Sequence, residues 1–293
     1  GIGASLDDMV AWERHIDATR DDPDSLYQRL AAPTRFADGA PAAYGYGLGR
    51  RIEFGRHVTG HGGGLRGWSS HRLHVHADRV SVVVLFNFMA DASAAAIDLL
   101  AAVLGEEKPQ RAAAPTPLGW LGAYVEPETN LSVRVEATDE PKVLLRYAHP
   151  PQLLDLNADG SAGDDGGRLR PGEGGLWLDR PKENHSSRLE PCAKGQIGGI
   201  EGRYRCQELD ADLTIAEAGG AFYGAFSGFL GQGRMERLEP IGRDVWALPC
   251  ARALDHTPPG DWTLAFARDS EDAPVSVRVG CWLARGLTFN RHA

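Results

Sequence analysis

Gly60-His61-Gly62-Gly63-Gly64-Leu65-Arg66-Gly67-Trp68-Ser69-Ser70 is the stretch on which the reading of this chain turns. A basic side chain is followed at once by bare backbone and then by an extended, partly apolar run. Without a Cβ, glycine lets a ligand's backbone come close, and a histidine beside such a surface can carry protons near neutral pH. The stretch predicts an edge strand against which a substrate lies. It does not match a Walker loop or a dinucleotide fingerprint, because the Gly-Lys-Ser/Thr ending and the strand-to-helix context are both missing.

On the N-terminal side, Ser5-Leu6-Asp7-Asp8 offers a capping serine with a carboxylate three residues on, followed by Met9, Trp12 and Ile16 at helical spacing. Tyr44-Gly45-Tyr46-Gly47-Leu48 lies between that helix and His61. On the C-terminal side, Val80 to Asn87 is a near-continuous β-branched and apolar run, which suits a strand buried on both faces. Ser93 to Leu104, with Ile97, Leu100 and Leu104 on one side, predicts an amphipathic helix covering the sheet. Helix, strands and helix describe the end of an α/β domain, residues 1–107.

Residues 108–117, with Pro109, Pro115, Pro117 and three successive alanines, have no periodicity and read as a linker. Beyond it the texture changes to short alternating stretches such as Leu131-Ser132-Val133-Arg134-Val135 and Val275-Ser276-Val277-Arg278-Val279. Many short strands broken by Gly, Asp, Asn and Pro indicate antiparallel sandwiches or barrels. Gly122-Ala123-Tyr124 before Leu131-Ser132-Val133 echoes Gly202-Arg203-Tyr204 before Leu213-Thr214-Ile215. The echo predicts two related β domains, 118–196 and 197–293, divided in the glycine-rich stretch 195–199.

At 293 residues the chain exceeds one ordinary domain, and 42% apolar with 24% charged residues is an ordinary globular composition. No apolar run approaches a membrane span. A net charge of −9 speaks against a nucleic-acid partner or an anionic membrane surface. Cys192, Cys206, Cys250 and Cys281 show no Cys-x-x-Cys pair, which argues for buried free thiols over a zinc site or redox motif. The chain begins at Gly1 without an initiator methionine, so it is expected to be the C-terminal part of a longer polypeptide, with a cytoplasmic location.

Asp155-x-Asn157-x-Asp159-Gly160 begins like a calcium loop, but its twelfth position is Gly166 where a bidentate glutamate is needed, and a polar hairpin turn is the better reading. His71, His74 and His76 form a second cluster. In a strand His74 and His76 share a face and His71 points the other way, which disfavours a shared metal. No metal ligand set is expected. His61 in its glycine-rich setting is the leading catalytic candidate.

Taken in order, the capped helix at Gly3 to Met9, the Tyr44 to Leu48 segment and the Gly60 to Trp68 run resemble the C-terminal third of the penicillin-recognising serine hydrolases, the superfamily of class C β-lactamases and D,D-peptidases. There a His-x-Gly or Lys-Thr-Gly triplet lies on the strand lining the active site, and His61-Gly62-Gly63 occupies that place. The resemblance implies that His61 assists proton traffic or binds a polar substrate group, with Gly62 and Gly63 beside it. It also implies that the Gly64 amide is one donor of an oxyanion hole, whose loss typically costs about 3 kcal/mol of transition-state stabilisation. The superfamily's Ser-x-x-Lys nucleophile and Tyr-x-Asn base motifs occur nowhere in this sequence; its four lysines, Lys108, Lys142, Lys182 and Lys194, never follow a serine at that spacing. The isolated chain is therefore expected to be inactive, the N-terminal part of the catalytic domain being a required partner.

The β regions narrow the resemblance. Glu208 to Leu213, Gly219 to Phe226, Phe229-Leu230-Gly231, Asp244 to Pro249 and Gly280 to Gly286 are similar to segments of the bacterial D-aminopeptidases. That family implies a β-lactamase-like α/β domain followed by two antiparallel, up-and-down, lipocalin-like β-barrels, the second sending a loop, here 250–260, into the active site. Asp255 is the only carboxylate of that loop and would hold the substrate's ammonium group. The implied reaction is serine acyl transfer on a small D-amino-acid amide, ester or short peptide, with no metal or organic cofactor and a homodimeric assembly. A related esterase or D,D-peptidase, or a non-catalytic barrel module for ligand binding or dimerisation, are the alternatives.

Overall fold

The computed structural model describes residues 3–65, 67–107, 118–164, 166–193, 198–229, 231–249, 260–282 and 284–292. They are mostly β-strand, with few helices. The chain divides into two compact units, one holding residues up to 107 together with Pro181–His185, the other holding the remaining described residues.

The first unit opens with helix α1, Leu6–Ala18, and the expected capping box is present: Ser5 Oγ accepts from the Asp8 amide, and the Asp8 carboxylate accepts from the Ser5 amide at 2.8 Å. A short helix α2, Leu26–Ala31, follows. Five antiparallel strands then run in simple order, β1 (Tyr44–Gly45), β2 (Leu48–Glu53), β3 (Arg56–Leu65), β4 (Trp68–Val75) and β5 (Val80–Phe86), before α3, Ala92–Leu104. Asp91 caps α3 through the Ala94 amide. Val58, Leu73, Val75, Val82 and Val84 pack with Ala92, Ala96 and Leu100 of α3, and Ile97 and Leu104 join the same cluster. On α1 and α2, Ile16 and Tyr27 pack with Leu48 in a smaller cluster.

The Val80 run is not buried on both faces. Val82 and Val84 are buried, but Ser81 and Leu85 are exposed, because β5 closes one side of the sheet and α3 covers only one of its faces. β-branched residues suit an extended backbone whether or not both faces are covered, so the run's composition fixed the strand and not its burial.

In the second unit, Gly122–Glu126, Leu131–Ala137, Lys142–Arg146 and Gln152–Asp155 form an antiparallel meander, with Glu190–Pro191 paired on its free side. Ala162–Asp164, Gly167–Gly172, Gly175–Arg180 and His185–Arg188 form a second, four-stranded sheet. The two sheets touch at both margins: Leu156 bridges to Ala162, and the Leu189 amide donates to the Leu176 carbonyl just before Glu190–Pro191 joins the meander. The rest of the unit is one ten-stranded antiparallel sheet running from Gly202–Cys206 to Leu287–His292. Glu236–Arg237 pairs with Ala221–Gly228 while the next strand, Glu239–Gly242, pairs with Val245–Leu248. Each β region keeps its own apolar core, one around Leu131, Val133, Leu169 and Leu178, the other around Tyr204, Leu213, Trp246 and Phe289. Phe222 and Trp262 pack against the second core and Trp246 is buried in it, so these aromatics fill the interior.

The Gly-x-Tyr echo is a repeated device at a constant offset of 80 residues (122 to 202, 124 to 204, 130 to 210). Gly122 and Gly202 take φ of 144° and 148°, which an L side chain rarely adopts. Tyr124 Oη donates to the Trp120 carbonyl at 2.8 Å, and Tyr204 Oη to the Ile200 carbonyl at 2.9 Å. Tyr124 faces Val133 across the hairpin as Tyr204 faces Leu213, and Asn130 and Asp210 close the two turns in left-handed conformation.

Candidate active site

The site begins in a tight turn. Gly45 pairs with Leu48, leaving Tyr46 and Gly47 as a two-residue hairpin loop with φ of 54° and 78°, the conformation of a type I′ turn. That turn aims Tyr44 at β3, where Tyr44 Oη and His61 Nε2 share a hydrogen bond of 3.1 Å. His61 is exposed.

β3 changes character at this histidine. From Arg56 to Gly60 it pairs with β2, and from Val58 onward also with β4, so residues 58–60 are internal to the sheet. From His61 to Leu65 it pairs with β4 alone among the described residues. The edge strand expected from the glycine run is thus an edge only from His61 onward. In that half, every second residue turns its backbone N–H and C=O away from β4, open to an extended ligand.

The glycines are also explained by what the sheet puts over them. A Cβ on Gly60 would sit 2.5 Å from the Arg72 carbonyl oxygen, one on Gly62 3.1 Å from His71 Nδ1, and one on Gly63 2.5 Å from Ser70 Oγ. Their lack of side chains therefore serves close strand packing as well as the approach of a ligand.

His71 and His74 fall on opposite faces of β4, as alternation requires. His71 lies over Gly62, and burial, reinforced by the charges of Arg51 and His61, pushes its pKa down to about 4. His74 is buried on the other face and bonds Ser81 Oγ through Nδ1 at 3.0 Å. Burial lowers its pKa to about 4 despite the nearby Glu13 carboxylate. Both imidazoles are neutral at pH 7 and their positions serve packing.

Behind His61 lies a polar cluster that the sequence pattern does not announce. Arg72 donates to both Glu13 carboxylate oxygens, Nε to Oε1 at 2.6 Å and Nη2 to Oε2 at 2.9 Å, and Nη1 donates to Tyr27 Oη at 3.0 Å. Tyr27 Oη in turn meets Thr59 Oγ1 at 2.7 Å. Glu13 shows only as a polar residue within the apolar spacing of α1, the one hint available beforehand.

Asp255 and Arg66 lie outside the described residues, as do the linker 108–117 and Cys250. Of the loop 250–260 only Gly260 is described, and a Cβ there would sit 2.5 Å from the His149 carbonyl oxygen, so its backbone is packed hard against that residue. The Asp155 to Gly160 segment is the polar turn its sequence suggests: Asn157 and Gly160 close it, and Asp159 accepts from the Ser161 amide and pairs with Arg168. Cys206 is a buried free thiol, whereas Cys192 is only half-buried, its pKa raised by burial to about 11.

Comparison with known proteins decides the family. The model of the family described as D-aminopeptidase, domain B, matches residues 113–290. The chain belongs to the D-aminopeptidase family. A D-aminopeptidase of Gluconobacter oxydans is 51% identical over 99% of this chain and 57% of its own length, and one of Brucella ovis is 44% identical over 99% and 56%. The chain thus spans a little over half the length of these D-aminopeptidases. Among solved structures, the octameric penicillin-binding protein homologue from Pyrococcus abyssi is 16% identical, with a TM-score of 0.34 over 75% of this chain and 45% of that one. So loose a superposition carries no argument. No helix among the described residues is long and apolar enough to cross a membrane.

Proposed function

We propose that this D-aminopeptidase chain forms part of a serine hydrolase that releases N-terminal D-residues from small amides, esters or peptides. The observation that carries the reading is His61, exposed and bonded to Tyr44 at the point where β3 loses one neighbour. A substrate laid along that open half places its carbonyl beside the Gly62-Gly63-Gly64 backbone. A serine from a Ser-x-x-Lys segment outside this sequence attacks that carbonyl carbon; the C–N bond breaks, and the amine leaves with a proton. Water then cleaves the D-aminoacyl ester, releasing the D-amino acid and restoring the serine. His61 moves the proton or holds the departing group, and the Gly64 amide stabilises the oxyanion. Tyr44 fixes the imidazole's orientation. Asp255 binds the substrate ammonium and so selects free N-termini. The β regions are two up-and-down, lipocalin-like barrels, a reading supported by the Leu156–Ala162 bridge between the two sheets of the first region and by the successive segments Glu236–Arg237 and Glu239–Gly242, which pair toward opposite ends of the second region's sheet.

The test is hydrolysis of D-alanine p-nitroanilide by the full-length protein, with the L-isomer and N-acetyl-D-alanine p-nitroanilide as controls. His61→Ala is expected to lower kcat/KM by roughly 10²–10⁴, and Asp255→Asn to erode the preference for the free amine. Full activity in His61→Ala would overturn the role given to that residue. An Asp255→Asn enzyme that still rejects the acetylated substrate would favour a related esterase or D,D-peptidase.

A further inference from the structure

We propose that Tyr27, Arg72 and Glu13 form a clamp that positions His61 for the reaction above; the inference rests on that reading. Arg72 is the register partner of His61, so their side chains leave the sheet on the same face. Thr59 lies two residues before His61 on β3 and shares that face too. Tyr27 joins the two: its hydroxyl accepts from Arg72 Nη1 and meets Thr59 Oγ1. Glu13 on α1 fixes the other two corners of the guanidinium with a bidentate pair. Arg72 and Glu13 are both buried, and Ser81 donates to Glu13 Oε2 at 2.7 Å. α1 and α2 therefore grip β3 and β4 immediately behind His61.

This grip has a purpose because His61 stands where β3, among the described residues, keeps only one strand neighbour. A strand held from one side slides and twists more easily than one held from two. A misplacement of about 1 Å at a reacting group costs about 10²-fold in rate. A Cβ at Gly60 would sit 2.5 Å from the Arg72 carbonyl oxygen, so β3 and β4 are closely packed just before the histidine. The side-chain hydrogen bonds of Arg72 and Tyr27 go to Glu13, to Thr59 and to each other, so they act through β3 as positioning residues.

Tyr27→Phe removes one hydroxyl from the clamp and no charge; Thr59→Val removes its other end at nearly constant volume. In the full-length enzyme each is expected to lower kcat on D-alanine p-nitroanilide about 10-fold, with KM within about 2-fold and the melting temperature nearly unchanged. Unchanged kcat in both variants overturns the clamp, as does activity that falls only in step with the folded fraction. A wild-type enzyme inert on D-aminoacyl substrates overturns the proposed function instead. The clamp is then judged by the NMR chemical shifts of the His61 imidazole, which should differ from wild type in Tyr27→Phe and coincide with it if the clamp is absent.

Discussion

The two β regions share a frame and fill one position of it in opposite ways. Both begin with a glycine in left-handed backbone, a buried tyrosine bonded to the carbonyl four residues back, and a hairpin closed by a left-handed Asn or Asp. Two residues beyond the tyrosine the first region places Glu126 and the second Cys206. Glu126 is fully buried, accepting from Thr129 Oγ1, from Tyr147 Oη at 2.6 Å and from Arg180 Nη2 at 2.6 Å. Cys206 is equally buried but lies among Tyr204, Leu213, Phe266 and Val277 in an apolar core. The same backbone position thus accepts either a buried ionic network or a small apolar side chain.

Removing the carboxylate breaks the comparison most severely. Glu126→Ala takes from the buried Arg180 the carboxylate it pairs with and from Tyr147 its acceptor, and the expected loss is about 3–5 kcal/mol of unfolding free energy by chemical denaturation. Cys206→Ala, which deletes only a thiol from an apolar core, should cost far less. Similar losses in the two variants would mean that the ionic network is not what distinguishes the regions.

Acid sharpens the same contrast. Burial alone would raise the pKa of Glu126, but hydrogen bonds from Thr129 and Tyr147 and the charge of Arg180 outweigh it and hold the carboxyl below its usual range. A depressed folded-state pKa gives stability that is fully present above the unfolded value of 4.5 and is lost as pH falls through the folded one. Hydrogen exchange at decreasing pH should therefore lose protection in strands 122–188 before strands 202–289. The reverse order would show that other carboxylates govern acid unfolding.

Local chemistry was legible in the sequence where it repeats or caps. Ser5 and Asp8 lie three residues apart, and the Gly-x-Tyr pairs recur, so the α1 start and the duplicated β device could be read from spacing alone. His61 stood out because glycine and histidine are unusual together in an extended run. What spacing could not supply was the neighbour of each strand. Among the described residues β3 is an edge only from His61 onward, and this depends on where β2 begins. The Tyr44–His61 bond and the Glu13–Arg72 pair join residues 17 and 59 positions apart, and only the folded sheet brings them together. The exposed face of β5 was missed for a similar reason, since composition says that Val80–Phe86 is extended and not what covers it.

The smallest effect tests the frame itself. Tyr124→Phe and Tyr204→Phe each delete one hydroxyl and leave one backbone carbonyl, at Trp120 or Ile200, without its side-chain donor. A neutral hydrogen bond of this kind contributes about 1 kcal/mol net, and the geometry is nearly the same in both copies, so the two losses should match within a few tenths of a kcal/mol. The surroundings are not alike, since Tyr124 packs in the core next to the Glu126 network and Tyr204 makes an edge contact with Phe266 at 5.7 Å. Equal losses in equilibrium denaturation would show that the hydroxyl acts on its own strand, independently of what fills the interior. A Tyr124→Phe loss several times that of Tyr204→Phe would instead show that the ionic network of the first region depends on the tyrosine, making the shared frame a shared shape with two different energetic roles.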